Sequence, residues 1–216
     1  MVAKKEDEHV QDSYNSGAKR YCEHWSVPHA FTEIDRQKFC ELLPPKSRIL
    51  DIGCGPGNDT TCFVEKGFSV TGIDLSKEMI KLASRRETRA KFLEMDMRHL
   101  AFNDDSFEGI WASFSFLHVK EADAEGTLQQ FKRVLCSGGY LCLLVHTNEK
   151  TTYRKTQISG LFEDDGKPMS TYVQEWKREE LLAVLEKIGF ETCSKRPFIR
   201  QGGLYPLICI IAKSRK

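Results

Sequence analysis

The chain has 216 residues, with 32 Lys and Arg against 31 Asp and Glu, a formal net charge of +1. That length sits a little above the ~150-residue yardstick for one domain, and such a chain buries roughly 70% of its surface without a metal or disulfide staple. The charge balance excludes a strongly basic nucleic-acid binder, an acidic tail protein and charge-driven disorder.

The first 45 residues are polar, with aromatic punctuation at Tyr14, Tyr21, Trp25 and Phe31, and are read as an N-terminal helical extension (1–45). Its opening, MVAKKEDEHVQD, carries charge where a secretion signal needs an apolar stretch. Phe31, Ile34, Phe39 and Leu42 recur at helical spacing until Pro44-Pro45 stops them. From residue 46 the pattern becomes regular. SRILDIG predicts a buried strand, then glycines and a helix near Asn58 to Lys66. FSVTGID predicts a second strand, after which Ser76 caps a helix carrying Met79, Ile80, Leu82 and Ala83. KFLEMD, FEGIWASF and GYLCLLVH predict three more strands, with a helix over about Ala122 to Leu135 between the last two. Residues 147–176 look irregular and polar, and are expected to be an insertion on the substrate side. KREELLAVLEKIGF predicts an amphipathic helix closed by Gly189, and ETCSKRPF with PLICIIAK a closing hairpin. Strands alternating with helices imply a doubly wound α/β fold: a Rossmann-like sheet of seven strands, mostly parallel, the last antiparallel, with helices on both faces. Ligands in such sheets bind beyond the carboxyl ends of the strands.

No run approaches the ~20 apolar residues of a membrane span. The eight cysteines contain no C-x-x-C and no zinc-like spacing, so reduced thiols, a cytoplasmic setting and no metal are expected.

Asp51-Ile52-Gly53-Cys54-Gly55-Pro56-Gly57 runs a strand into alternating glycines and then a helix. Glycine allows positive φ and close backbone approach to a ligand. A dinucleotide loop spaces its third glycine one residue later, and a Walker loop ends in Gly-Lys-Ser/Thr, so phosphate cradling is disfavoured. The remaining option is a ligand with an amino-acid part and no phosphate. Asp51 is placed to meet an ammonium. Asp74, closing the second strand, is placed to accept both hydroxyls of a ribose, and Asp96 lies where a third ligand segment would reach. Three acids closing three successive strands line one groove.

With DIGCGPG (51–57), GIDLS (72–76), FLEMDMRHLAF (92–102), FEGIWASFSFLHV (107–119) and RVLCSGGYLCLLV (133–145), the chain resembles the class I S-adenosylmethionine-dependent methyltransferases of the small methyltransferase-domain type. The likeness runs from about Ser47 to Lys213 and departs from the family at Cys136-Ser137-Gly138-Gly139, where Pro-Gly-Gly is usual. It implies that Gly53, Gly55 and Gly57 hold the methionine portion of S-adenosylmethionine, Asp74 the ribose and Leu75 the adenine face. Asp96 and the Met97 backbone would read the adenine amino edge, and Ser113 would offer backbone to the ammonium. Tyr14 and Tyr21 stand where such enzymes carry an N-terminal lid, and S-adenosylhomocysteine is the implied product.

The sulfonium is already an activated electrophile, so the protein need only position the acceptor and exclude water. His118 is the candidate general base, with His146 behind it. Arg200, Gln201 and Tyr205 on the last hairpin are expected near the acceptor. The expected acceptor is a small molecule. Methylation of tRNA or protein, and a non-catalytic cofactor-binding module, are the alternatives; two basic clusters (Lys81, Arg85, Arg86, Arg89 and Lys213, Arg215, Lys216) leave RNA contact open.

Overall fold

The computed structural model describes residues 2–27, 30–162, 166–199 and 206–216. Arg200, Gln201 and Tyr205 therefore lie outside the described residues. The N-terminal segment forms α1 (Val2–Ser16), α2 (Ala18–His24) and α3 (Glu33–Leu42). There follow β1 (Arg48–Ile52), α4 (Asn58–Glu65), β2 (Ser69–Asp74), α5 (Lys77–Arg86), β3 (Lys91–Glu94), β4 (Phe107–Ser113), α6 (Glu121–Val134) and β5 (Leu135–Thr147). The chain closes with β6 (Thr152–Phe162), β7 (Pro168–Trp176), α7 (Arg178–Lys187), β8 (Phe190–Ile199) and β9 (Pro206–Ser214).

The sheet runs β3-β2-β1-β4-β5, parallel throughout, and β9 adds antiparallel to β5 from Tyr140 to His146 with β8 outside it. The order reverses between β1 and β4, which opens a crevice at their carboxyl ends. Strand alternation sends two sets of side chains to opposite faces. Leu50, Ile52, Ile110, Ala112, Leu141 and Leu143 pack under α6 and α7 through Leu128, Phe131, Leu181 and Leu185. Ile49, Val70, Trp111, Cys142 and Leu144 pack under α3 and α4 through Phe39 and Phe63. Helices thus cover both faces, as the sequence implies.

The sheet has nine strands instead of seven. The two extra strands come from residues 147–176, which are not irregular: β6 and β7 pair antiparallel from Thr152↔Glu175 to Gln157↔Ser170, and β7 continues the sheet beyond β5 at His146↔Glu175 and Thr147↔Trp176. The alternation was hidden because polar residues occupy inward positions. Thr171, Gln174 and Glu175 are all at most 2% exposed. Each finds a partner: Arg154 and Asn148 donate to Glu175 at 2.6 and 2.8 Å, Gln174 Nε2 donates to the Thr152 carbonyl at 3.0 Å, and Thr171 Oγ1 lies 3.4 Å from His118 Nδ1. A buried polar side chain that is hydrogen-bonded in this way sits in a sheet without the usual desolvation cost.

Candidate active site

The glycine loop is built from left-handed residues. Gly53, Gly55 and Gly57 have φ of +65°, +52° and +82°. At Gly53 glycine is also a steric requirement, because a Cβ there would stand 2.2 Å from the Ser115 Cβ. Ser115 is held against the loop by its own hydroxyl, which donates to the Ile52 carbonyl at 2.6 Å. Gly55 is the opposite case: a Cβ would meet nothing within 4 Å, and the residue lines a cavity.

That cavity gathers ten of the twelve residues singled out from the sequence: Tyr14, Tyr21, Gly53, Gly55, Asp74, Leu75, Asp96, Met97, Ser113 and His118. Asp51 and Gly57 are not brought to its wall. Asp51 is 2% exposed, takes the Thr60 hydroxyl at 2.6 Å, and is pushed up to about 8 by burial and by neighbouring Asp59. Gly57 caps α4, packed toward Ala83 and Phe92.

Asp74 is the best-organised polar group. The Gly55 N–H donates to Oδ2 at 2.9 Å and the Ser76 N–H to Oδ1 at 2.8 Å, with the Leu75 backbone adding a third contact. Burial pushes its pKa to about 6 and these backbone donors oppose the rise, so it is mostly ionised at neutral pH. Carboxylate oxygens fixed in this way suit a vicinal diol, since each keeps a lone pair to accept a hydroxyl. Ser76 caps α5, accepting from the Met79 N–H at 3.2 Å.

The N-terminal helices close one side. α1 and α2 supply Asp7, Val10, Gln11, Tyr14 and Tyr21 to the lining. Gln11 Nε2 donates to the Leu75 carbonyl at 2.9 Å, and Asn15 Oδ1 accepts from the Ser76 hydroxyl at 2.7 Å. Arg98 bridges the two halves. Its guanidinium donates to Asp96 at 2.7 Å and to Asp7 on α1 at 2.6 Å. Burial raises Asp96, but the Arg98 side chain and N–H outweigh it and hold the carboxyl below its ordinary range. Sequence reasoning missed Arg98 and Asp7; their meeting spans 91 positions and leaves no local signal.

His118 sits on the opposite wall in a short 3-10 turn, Phe116–His118. Its Nδ1 is 2.7 Å from the Tyr172 carbonyl, which can only accept, so the proton is on Nδ1. Nε2 then accepts from the Tyr14 hydroxyl at 3.1 Å. Burial lowers the His118 pKa to about 4 and raises that of Tyr14, so both are neutral at pH 7. His146 lies beyond, at the carboxyl end of β5, in edge contact with the Phe114 ring at 6.2 Å. Among the described residues no group of three or more His, Cys, Asp or Glu is arranged to hold a metal. No helix among them is long and apolar enough to cross a membrane.

Residues 49–139 match the family model described as a methyltransferase domain. Residues 49–139 thus carry a methyltransferase domain of the class I S-adenosylmethionine-dependent kind. YqeM of Bacillus subtilis is 33% identical over 154 residues, covering 68% of this chain and 61% of that protein. The methyltransferase GfsG of Streptomyces halstedii is 34% identical over 103 residues, 44% of this chain and 36% of that protein. The chain thus spans less than two thirds of the length of these two relatives. A demethylmenaquinone methyltransferase of Thermotoga maritima is 27% identical over 76% of this chain and 78% of its own. The fold is close to that of a Burkholderia thailandensis 1,6-didemethyltoxoflavin-N1-methyltransferase, solved with bound 1,6-didemethyltoxoflavin and S-adenosylhomocysteine. There the TM-score is 0.78 at 18% identity over 99% of this chain and 91% of that one. The cavity lies at the β1/β4 switch point of the sheet, where ligands bind in folds of this kind.

Proposed function

We propose that this chain transfers the methyl group of S-adenosylmethionine to a small-molecule acceptor by direct in-line displacement, in a cytoplasmic setting. The observation that carries the reading is Asp74, its carboxylate oriented by the backbone of the glycine loop at one end of a cavity lined by Gly53, Gly55, Leu75, Asp96 and Met97. Bound there, S-adenosylmethionine supplies an electrophilic methyl on a sulfonium, so no further activation of the donor is needed. In this reading Asp74 takes the ribose hydroxyls, Leu75 and Met97 flank the adenine, Asp96 with the Met97 backbone faces its amino edge, and the open side of Gly55 admits the methionine portion. Ser113 offers backbone to the ammonium. Asp51 and Gly57 support the loop from behind.

His118 takes the proton an O–H or N–H acceptor must release. With Tyr14 already donating to Nε2, the acceptor's proton moves to the Tyr14 oxygen as the Tyr14 proton moves to Nε2. The new imidazolium keeps its Nδ1–H on the Tyr172 carbonyl. Positive charge leaves the sulfur as the methyl departs and appears on His118, so the charge in the cavity is conserved. α1 and Tyr21 form the lid that excludes water.

A small acceptor is supported by the cover that α1 places over the cavity and by the names of the relatives, which include quinone and toxoflavin methyltransferases. Several members of the basic clusters have partners within the chain, which favours the small-molecule reading over RNA. Lys81 pairs with Glu78, Arg86 donates to the Ser26 carbonyl, Arg89 pairs with Glu87, Arg215 with Glu191 and Lys216 with Asp105. Calorimetry with S-adenosylmethionine and S-adenosylhomocysteine tests the reading: micromolar binding of both is expected, and failure of either to bind wild-type protein overturns it.

A further inference from the structure

Asp96 follows β3 on the cavity wall, and Arg98 fills its carboxylate. The Arg98 backbone N–H and Nε lie 2.9 and 3.0 Å from Oδ1, and Nε and Nη2 lie 2.9 and 2.7 Å from Oδ2. Those four contacts match the roughly four lone-pair sites of a carboxylate. A further donor, such as an adenine amino group, enters only by displacing one of them. The backbone N–H is fixed by the turn, and Nε is shared between both oxygens. Nη2 on Oδ2 is therefore the contact that can be given up while Arg98 stays paired with Asp96.

The same guanidinium already reaches the covering helix. Nη1 donates to Oδ2 of Asp7 on α1 at 2.6 Å, and among the described residues Asp7 Oδ1 takes no hydrogen bond. Nη1 and Nη2 on the two oxygens of one carboxylate form the bidentate fork that a planar guanidinium favours. Tyr153 on β6 offers a further acceptor. Its hydroxyl is buried and, among the described residues, has no hydrogen-bond partner, an arrangement that costs free energy until a donor arrives. Asp7 and Arg98 are close enough to act on it: burial raises the Tyr153 pKa most, Glu6 and Asp7 raise it further, and Arg98 lowers it. The ring is held in place, stacked on Tyr172 at 5.6 Å and 16°, with the Glu6-paired Lys120 over it at 5.3 Å.

We infer that cofactor binding hands the Arg98 Nη2 from Asp96 to Asp7 and Tyr153, so that the adenine amino group itself latches α1 over the filled cavity. The amino N–H takes the vacated site on Asp96 Oδ2, Nη2 moves to Asp7 Oδ1 or the Tyr153 oxygen, and no proton changes owner. Hydrogen bonds are conserved, and α1 gains a second tie to the groove. The inference rests on the methyltransferase reading, since only that reading puts an adenine beside Asp96.

The test compares S-adenosylhomocysteine with its 6-deamino analogue, which carries purine in place of adenine and keeps the ring nitrogens. With the full chain saturated by each ligand in turn, hydrogen exchange of the α1 amides is expected to be about tenfold slower with S-adenosylhomocysteine than with the analogue. Asp7→Asn should lower S-adenosylhomocysteine affinity about tenfold and analogue affinity by less than about twofold, because only the amino group calls on Asp7. A purely structural role for Asp7 would weaken both ligands alike. Tyr153→Phe, which removes only the unpartnered oxygen, should shift the ratio of affinities the same way by about threefold, and decides the matter if Asp7→Asn does not fold. Equal α1 protection by the two ligands, or an unchanged ratio in a folded variant, overturns the inference. Failure of the wild type to bind S-adenosylhomocysteine would instead overturn the methyltransferase reading.

Discussion

The two sides of the cavity are made differently. The glycine-loop side, from β1 to β4, is a backbone construction: three left-handed glycines, a carboxylate held by main-chain N–H groups, and a serine wedged on Gly53 over a fully buried core. The covering side, α1 and α2, is held by side chains that cross from one element to another. Arg98 reaches Asp7, Gln11 reaches the Leu75 carbonyl, Asn15 takes the Ser76 hydroxyl, and His9 meets Ser170 at 3.1 Å. Backbone ladders and core packing open only with global unfolding, whereas a few partly exposed polar contacts open locally. A methyltransferase needs that asymmetry, with a rigid cradle for one ligand and a cover that admits the other.

Five substitutions probe this contrast. The largest effect is expected at Gly53→Ala, where positive φ and the 2.2 Å approach to Ser115 act together. A loss of about 3 kcal/mol or more is expected, a fall in Tm on the order of 10 °C in thermal denaturation. Gly55→Ala sharpens the point: with no atom within 4 Å only the backbone strain is felt, so about 1 kcal/mol of stability is lost while cofactor binding weakens more than folding does. A Gly55→Ala variant with wild-type cofactor affinity would show that the open side of this glycine faces no ligand.

Asp74→Ala removes a charged hydrogen-bonding group and leaves its backbone donors unanswered. The expected loss in S-adenosylhomocysteine affinity is about tenfold to a hundredfold, corresponding to roughly 1.5–3 kcal/mol. Calorimetry at pH 7.5 measures it, and an unchanged affinity would remove Asp74 from the site.

Asp51 sets a pH dependence. Its pKa is raised in the folded protein to about 8, far above the ordinary carboxyl range, so between about pH 4 and 8 the folded chain holds a proton that the unfolded chain has released. Its contribution is full below about pH 4 and is lost as pH rises toward 8. Asp74, raised to about 6, acts in the same direction over the lower part of that window. Ligand-free protein should therefore lose stability across this range, and Asp51→Asn should flatten the curve in denaturant melts at successive pH values. A steep curve that survives the substitution would show that Asp51 ionises normally.

The smallest effect is expected on the covering side. Arg98→Ala breaks the bridge between Asp96 and Asp7, a partly exposed network worth about 1 kcal/mol. The Tm should shift by only a few degrees, while proteolysis within residues 1–27 should accelerate. If the whole domain melts with the same loss, the two sides are one cooperative unit and the contrast fails.

The glycine-loop side was legible in the sequence because every signal there is local. Strand, glycine spacing, closing acid and capping Ser76 lie within a few residues of one another, and the rule that ligands sit past the carboxyl ends of parallel strands converts that order into a place. The β6–β7 hairpin was not legible, since Thr171, Gln174 and Glu175 are polar by type and become core by virtue of partners at His118, Thr152, Arg154 and Asn148. The same limit applies to His118. Its position on the rim follows from the strand before it, but its proton on Nδ1 and its Nε2 partner are set by Tyr172 and Tyr14, 54 and 104 positions away, and its neutrality comes from burial.

The sequence by itself thus determined the alternating α/β order, the glycine loop and the three acids that close successive strands, because these depend on periodicity and on the intrinsic preferences of glycine. Only the tertiary structure decided that Asp51 faces inward to Thr60 and that Arg98 ties α1 to the groove. Those outcomes depend on burial and on contacts between distant residues, neither of which a local pattern encodes.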